Sequence, residues 1–248
     1  MRSVMVPGLT LPPLAGAERL EVSGHGVRLG GYVWPQPQAA PLFVLLHGYG
    51  QDAAAMVRPA EALQARGAAV VSLSMRGWRG SGGCDDYGRS HPADLRAALG
   101  DVRARVPASS VVLLGFSMGG LMALLAARQG VGVPLDGVVA VSAPTDLRRV
   151  YETTGYRGLR RYYDAVLTPE QWVSCSPARF TRGWRVPTLN VVGLRDTICP
   201  PWEGQSFAAA VRGGLVEVPD MGHEPGPDHW PVIVEAALAR FAPALAQR

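Results

Sequence analysis

The sequence predicts an α/β fold in a single domain, residues 1–248: a mostly parallel central sheet with helices on both faces. Three observations predict it. Short apolar runs suited to strands buried on both faces recur along the chain, helix-length amphipathic segments alternate with them, and 248 residues fit one such unit. Hydrophobic residues make up 48% and charged residues 18%, enough to fill a core and too apolar for a disordered or fibrous chain.

After a Pro-rich lead-in, Arg19 to Ser23 and Val27 to Trp34 read as two strands joined around Gly24 to Gly26, an antiparallel opening to the sheet. Four buried strands follow at Pro41 to Leu46, Ala68 to Leu73, Ser110 to Leu114 and Gly137 to Ser142, and two more at Pro187 to Val192 and Gly214 to Val218. Between them Pro59 to Arg66 ends at Gly67, and Met118 to Gln129 ends at Gly130, as helices stop at glycine. In Ser90 to Val106, Ser90 is the expected cap, Pro92 suits the first turn, and Leu95, Leu99, Val102 and Val106 share a face. Val234, Leu238 and Phe241 form a last helical stripe. One stretch breaks the alternation: residues 143–185 contain helical fragments but no clean strand, and are the candidate lid or cap insertion.

All 24 basic residues are arginine, and the net charge of +4 is scattered rather than gathered in a run, so no nucleic-acid partner is expected. Without lysine, Schiff-base chemistry is excluded. Cys84, Cys175 and Cys199 form no C-x-x-C pair, and are read as free thiols of a cytoplasmic protein. Pro7, Pro12 and Pro13 interrupt the N-terminus before a signal peptide can develop, and no later segment is long and apolar enough to span a membrane. No metal cluster or phosphate loop is evident; the Gly-x-Gly patterns near Gly24 and Gly80 lack a strand-to-helix setting, so no cofactor is expected.

The strongest chemical signal is Gly115-Phe116-Ser117-Met118-Gly119, directly after an apolar run and directly before a Leu/Ala-rich helix. With 30 glycines in the chain the pattern alone carries little weight; its strand–turn–helix context makes Ser117 the candidate nucleophile. A serine hydroxyl needs a base to take its proton and a carboxylate to hold that base. His223, past the last strand, is the expected base, with His229 as rival at the start of the terminal helix. Asp196, in the loop after the run Thr188 to Gly193, is the expected acid, with Asp146 as rival. The backbone N–H groups of Met118 and of Tyr49, in His47-Gly48-Tyr49-Gly50, are the candidate oxyanion donors, with His47 packing at the strand end.

With elbow, acid and histidine in this order, the chain from about Val27 onward resembles the α/β-hydrolase superfamily. His47-Gly48-Tyr49-Gly50 is similar to the oxyanion turn of acetyl xylan esterases. The loop Arg76 to Gly83, and the segment from Ser176-Pro177 through Val186-Pro187-Thr188-Leu189 to Pro200-Pro201, resemble prolyl oligopeptidase-like hydrolases. The resemblance implies a serine esterase acting on a small or medium acyl substrate. Peptidase or thioesterase action on the same residues, and a catalytically silent binding protein, are the alternatives. Arg148, Arg149, Arg157, Arg160 and Arg161, with Tyr151, Tyr156, Tyr162 and Tyr163, enrich the cap candidate; solvated arginines and ordinary tyrosine packing account for them, and an acidic or aromatic substrate is the sharper reading.

Overall fold

The computed structural model describes residues 10–246. Residues 1–9, with Pro7 of the proline-interrupted N-terminus expected not to form a signal peptide, and residues 247–248 lie outside the described residues. Strands β1 (Glu18–Ser23) and β2 (Arg28–Trp34) pair antiparallel from Glu18 opposite Val33 to Ser23 opposite Arg28, and Gly24 N–H closes the turn on Val27 O at 2.7 Å. Six strands follow: β3 (Ala40–Leu46), β4 (Ala69–Leu73), β5 (Ala108–Phe116), β6 (Gly137–Val141), β7 (Thr188–Gly193) and β8 (Gly214–Val218). They form one eight-stranded sheet in the order β1-β2-β4-β3-β5-β6-β7-β8, parallel from β4 onward. Strand order reverses between β3 and β5, the switch point where open α/β sheets open a crevice beyond their strand ends.

The helices are α1 (Val57–Ala65), α2 (His91–Arg105), α3 (Met118–Gln129), α4 (Leu147–Thr153), α5 (Arg157–Val166), α6 (Gln171–Ser174), α7 (Trp202–Val211), α8 (His229–Phe241) and the short α9 (Pro243–Ala246). Alternation along β3 shows why both faces need cover. Leu42, Val44 and Leu46 pack with Leu95, Leu99 and Val102 of α2 and with α3, whereas Phe43 and Leu45 pack with Leu63 of α1 and with Ile233, Val234 and Leu238 of α8. Each such side chain contributes roughly 1.5–3 kcal/mol by leaving water.

Two local expectations change. Strand β5 runs on to Phe116, because Gly115 and Phe116 pair with Ala140 and Val141 of β6, so the sheet carries the strand up to Ser117 itself. Ser90 stands at the start of α2, but its side chain accepts from no helix N–H; its hydroxyl is donated to the charged acceptor Asp86 Oδ2. Residues 143–185 connect β6 to β7 through α4, α5, α6 and a 3-10 turn at Pro177–Phe180. The thiols of Cys84, Cys175 and Cys199 are unbridged, and no helix among the described residues is long and apolar enough to cross a membrane.

Candidate active site

Ser117 is the entire turn between β5 and α3. Its backbone lies at φ 50° and ψ −114°, a conformation that an L-residue adopts only under constraint. The constraint is visible: Ser117 N–H donates to Val141 O at 2.8 Å, and its carbonyl accepts from Leu121 N–H at 3.0 Å. A Cβ on Gly115 would stand 2.2 Å from Gly119 C, and one on Gly119 would stand 2.1 Å from Leu46 O. Glycine at both positions lets the helix start press against the strand ends, which turns the hydroxyl outward.

His223 Nε2 lies 2.9 Å from Ser117 Oγ, and His223 Nδ1 lies 2.8 Å from Asp196 Oδ2. The acid is 5% exposed, and its other oxygen accepts from the N–H groups of Ile198 and Cys199 at 2.8 and 2.9 Å. Two oxygens with three N–H donors fix the carboxylate and aim one lone pair at the ring. Acid loop and histidine loop are tied together by Leu194 N–H to Val218 O and Arg195 N–H to Met221 O, both 3.0 Å. Gly193 permits this approach, since its Cβ would stand 2.4 Å from the carbonyls of Met221 and Gly222. The Phe116 ring, 5.4 Å from the imidazole centroid, covers the other side of His223. The structure thus brings all three predicted residues into one hydrogen-bonded chain.

The turn after β3 lies beside them. Gly48 N–H donates to Gln51 Oε1 at 2.9 Å and Gly48 packs on Phe116, while the N–H groups of Tyr49 and Met118 have no protein acceptor among the described residues. Tyr49 and Met118 both line the cavity that contains Ser117. His47 is fully buried and structural, as expected. Its Nδ1–H donates to Gly48 O at 2.8 Å and its Nε2 accepts from Met75 N–H at 3.0 Å, and burial lowers its pKa to about 4, so the ring is neutral.

That cavity, about 250 Å³, is walled by Phe116, Pro144, Leu159 and Ile198 together with Tyr87 and Tyr163, and its rim carries Gln51 and Glu224, joined at 2.9 Å. Residues 143–185 therefore supply part of its wall. Four sets of polar contacts, none of which sequence reasoning foresaw, hold this segment down. Tyr162 O–H donates to Asp85, whose carboxyl burial pushes up; the Tyr87 and Tyr163 hydroxyls lie 2.7 Å apart; and Gln171 Nε2 donates to Asp86 O at 2.7 Å. Glu203 Oε2 accepts from Thr145 N–H, Thr145 O–H and Asp146 N–H at 2.7 to 2.8 Å. None of these lies in a motif; only the tyrosine-rich composition of the segment hinted at them.

The rivals sit elsewhere. Asp146 caps α4 through the N–H groups of Arg148 and Arg149 and pairs with Arg179 at 2.9 Å. His229 opens α8, accepting from Gly226 N–H at 2.9 Å, with Asp220 3.5 Å from its other nitrogen. Arg76, in the Gly-rich loop, is held by both Asp94 oxygens at 2.7 Å and braces that loop on α2. A larger cleft of about 560 Å³, rimmed by Arg128, Arg179, Arg182 and Arg185, contains neither Ser117, Asp196 nor His223. Among the described residues no group of His, Cys, Asp and Glu is arranged to hold a metal ion.

A sequence model of the serine aminopeptidase S33 family matches residues 37–168, more than half of the chain. The chain belongs to that family. It is a serine hydrolase of the α/β-hydrolase superfamily. The matched span of this S33 member contains the Tyr49 turn and the Ser117 elbow and stops before Asp196 and His223, so the geometry alone joins those two to the site. Among solved structures, the Pyrococcus furiosus esterase Pf2001 superposes with a TM-score of 0.76 at 22% identity, over 95% of this chain and 98% of that one. The Mycobacterium tuberculosis puromycin-hydrolyzing peptidase gives 0.76 at 19% identity, and a Pyrococcus horikoshii acylaminoacyl peptidase gives 0.72 at 16%. The fold here spans 94% and 90% of this chain but only 40% of each peptidase. No curated protein sequence matches the chain.

Proposed function

We propose that this protein hydrolyses a carboxylic ester with a small or medium acyl group through an acyl-enzyme on Ser117. The observation that carries this is the continuous chain from Asp196 through His223 to Ser117 Oγ, opening into the cavity. Asp196 keeps the imidazole proton on Nδ1, so Nε2 presents a lone pair to the hydroxyl. As Oγ bonds to the acyl carbon, its proton passes to Nε2, and Asp196 stabilises the imidazolium without taking the proton. The N–H groups of Met118 and Tyr49 donate to the oxyanion. Collapse returns that proton to the departing alcohol; water, deprotonated by His223, then releases the acid and Ser117.

Two further facts favour an ester. The cavity falls below the roughly 300–1,000 Å³ of drug-sized sites, which suits a short acyl group. The esterase similar in fold matches over its whole length, whereas the peptidases have more than half of their chains outside the matched region. Residues 143–185 act as a cap that shapes the cavity. The family description favours aminopeptidase action as the second reading. Comparing kcat/KM for short p-nitrophenyl esters, acyl thioesters and aminoacyl p-nitroanilides separates the readings, because the ratio reports transition-state binding. Ester turnover at least 100-fold above anilide turnover is expected by that criterion, and the reverse order would replace esterase with peptidase.

A further inference from the structure

Apart from Ser117, His223, the Met118 and Tyr49 N–H groups and the rim residues Gln51 and Glu224, the polar groups lining the Ser117 cavity include the buried Cys199 thiol and one pair of buried hydroxyls. The side chains of Phe116, Met118, Pro144, Leu159 and Ile198 offer no hydrogen bond, and Tyr49 and Tyr156 stand at its exposed rim. Tyr87 and Tyr163 also line it, are 2% and 0% exposed, and face each other with hydroxyl oxygens 2.7 Å apart. A phenol has one proton to donate. Burial holds both groups well above the usual tyrosine pKa, so the pair carries two protons. One is used between the two oxygens. The other has no protein acceptor: neither oxygen has a second partner among the described residues, and the nearby Cys199 sulfur makes no hydrogen bond with either. A buried donor left over by the protein is costly unless a ligand or a water supplies the acceptor, and a group within the cavity is placed to do so.

The pair is also held in place. Tyr87 lies at φ 43°, in the left-handed region that a bulky residue enters only when its surroundings impose it. Its N–H donates to Asp85 Oδ1 at 3.0 Å, and Gln171, itself 2% exposed, donates to the Asp86 and Tyr87 carbonyls at 2.7 and 3.3 Å. Tyr163 comes from α5, in the segment between β6 and β7, so body and cap each contribute one hydroxyl.

We propose that the Tyr87–Tyr163 hydroxyl pair selects the acyl group, donating its spare proton to an oxygen within that group, so that short ether- or keto-containing acyl chains are preferred over all-carbon chains of equal length. This rests on the reading of Ser117 as the nucleophile of an esterase. The pair touches neither Ser117 nor His223 through any hydrogen bond, and its effect is on selectivity.

The test is a p-nitrophenyl ester series of constant chain length: hexanoate and its analogues with one ether oxygen moved stepwise along the chain, each rate normalised to hydroxide hydrolysis. Wild-type kcat/KM is expected to peak at one oxygen position, roughly 3- to 10-fold above hexanoate. Tyr87→Phe and Tyr163→Phe each leave one phenol with a free proton and are expected to keep a peak, at an unchanged or adjacent position. The Tyr87→Phe/Tyr163→Phe double variant is expected to lose it. A flat wild-type series, or a peak that survives in the double variant, overturns the proposal. If the esters are not hydrolysed the esterase reading fails, and calorimetric binding of the corresponding amides to Ser117→Ala then decides this proposal by the same peak. If the double variant does not fold, a crystal structure of Ser117→Ala with the tightest amide decides: an ether oxygen hydrogen-bonded to either hydroxyl is expected, and one seated elsewhere overturns the proposal.

Discussion

Ser117, His223 and Asp196 were each legible because residue type, chain order and strand position agreed, and their 2.8 and 2.9 Å contacts follow from loops that other residues pin. Asp196→Asn would keep the shape but lose the acceptor that holds the Nδ1 proton; kcat is expected to fall roughly 10³- to 10⁴-fold with KM little changed, read by steady-state kinetics. His47 gives a prediction away from the chemistry. Its folded pKa is lowered from 6.5 to about 4, so between those values the unfolded chain binds a proton that the folded chain does not. Stability therefore falls as pH drops through that window, by about 3 kcal/mol from this group. Asp85, whose folded pKa is raised by burial, works in the opposite sense near the carboxylate range. Thermal unfolding from pH 7 to 4 is expected to show the decline, flattened in His47→Gln. What stayed illegible at this scale were Tyr87, Tyr163 and Glu203, whose roles come from partners 57 or more residues away.

At the scale of elements, the eight strands were legible from apolar runs bounded by glycine and proline, and errors concentrate at ends. Periodicity cannot show that β5 continues to Phe116, because pairing with β6 decides it, nor that Ser90 prefers Asp86 to its own helix. The segment between β6 and β7 was recognised by its lack of strands, while its attachment was not. Glu203 on α7 is its main polar anchor at the β6 end, where one carboxylate oxygen satisfies three donors. Glu203→Ala would leave the buried Thr145 and Asp146 N–H groups unpaired, and is expected to cost about 2–4 kcal/mol in urea unfolding. Gly193→Ala would drive a methyl into the Met221 and Gly222 carbonyls and separate acid loop from histidine loop. Its expected signature is a kcat loss of at least about 10-fold at modest cost in stability, since misplacement of positioned groups costs rate steeply.

For the whole molecule, one sheet with two covered faces ties residues 143–185 to the rest of the fold: Tyr163, Leu159, Val150 and Leu147 of that segment belong to the same cluster as Leu113 and Leu121. Far-UV circular dichroism and tryptophan fluorescence, which samples Trp34 in β2 and Trp172 in α6, are expected to report coincident unfolding transitions. An earlier fluorescence transition would show a cap that opens independently. The switch between β3 and β5 explains why the Tyr49 turn and the Ser117 elbow share one crevice, and the same parallel order brings the β7 and β8 loops to its edge. The proposed function requires this arrangement to activate one serine, so the reactivity of Ser117 is its most direct test. Labelling of the folded protein with a fluorophosphonate probe, followed by peptide mapping, is expected to place one adduct on Ser117, to slow strongly in His223→Ala, and to vanish in Ser117→Ala; an adduct on another serine, or an unlabelled folded protein, would contradict it.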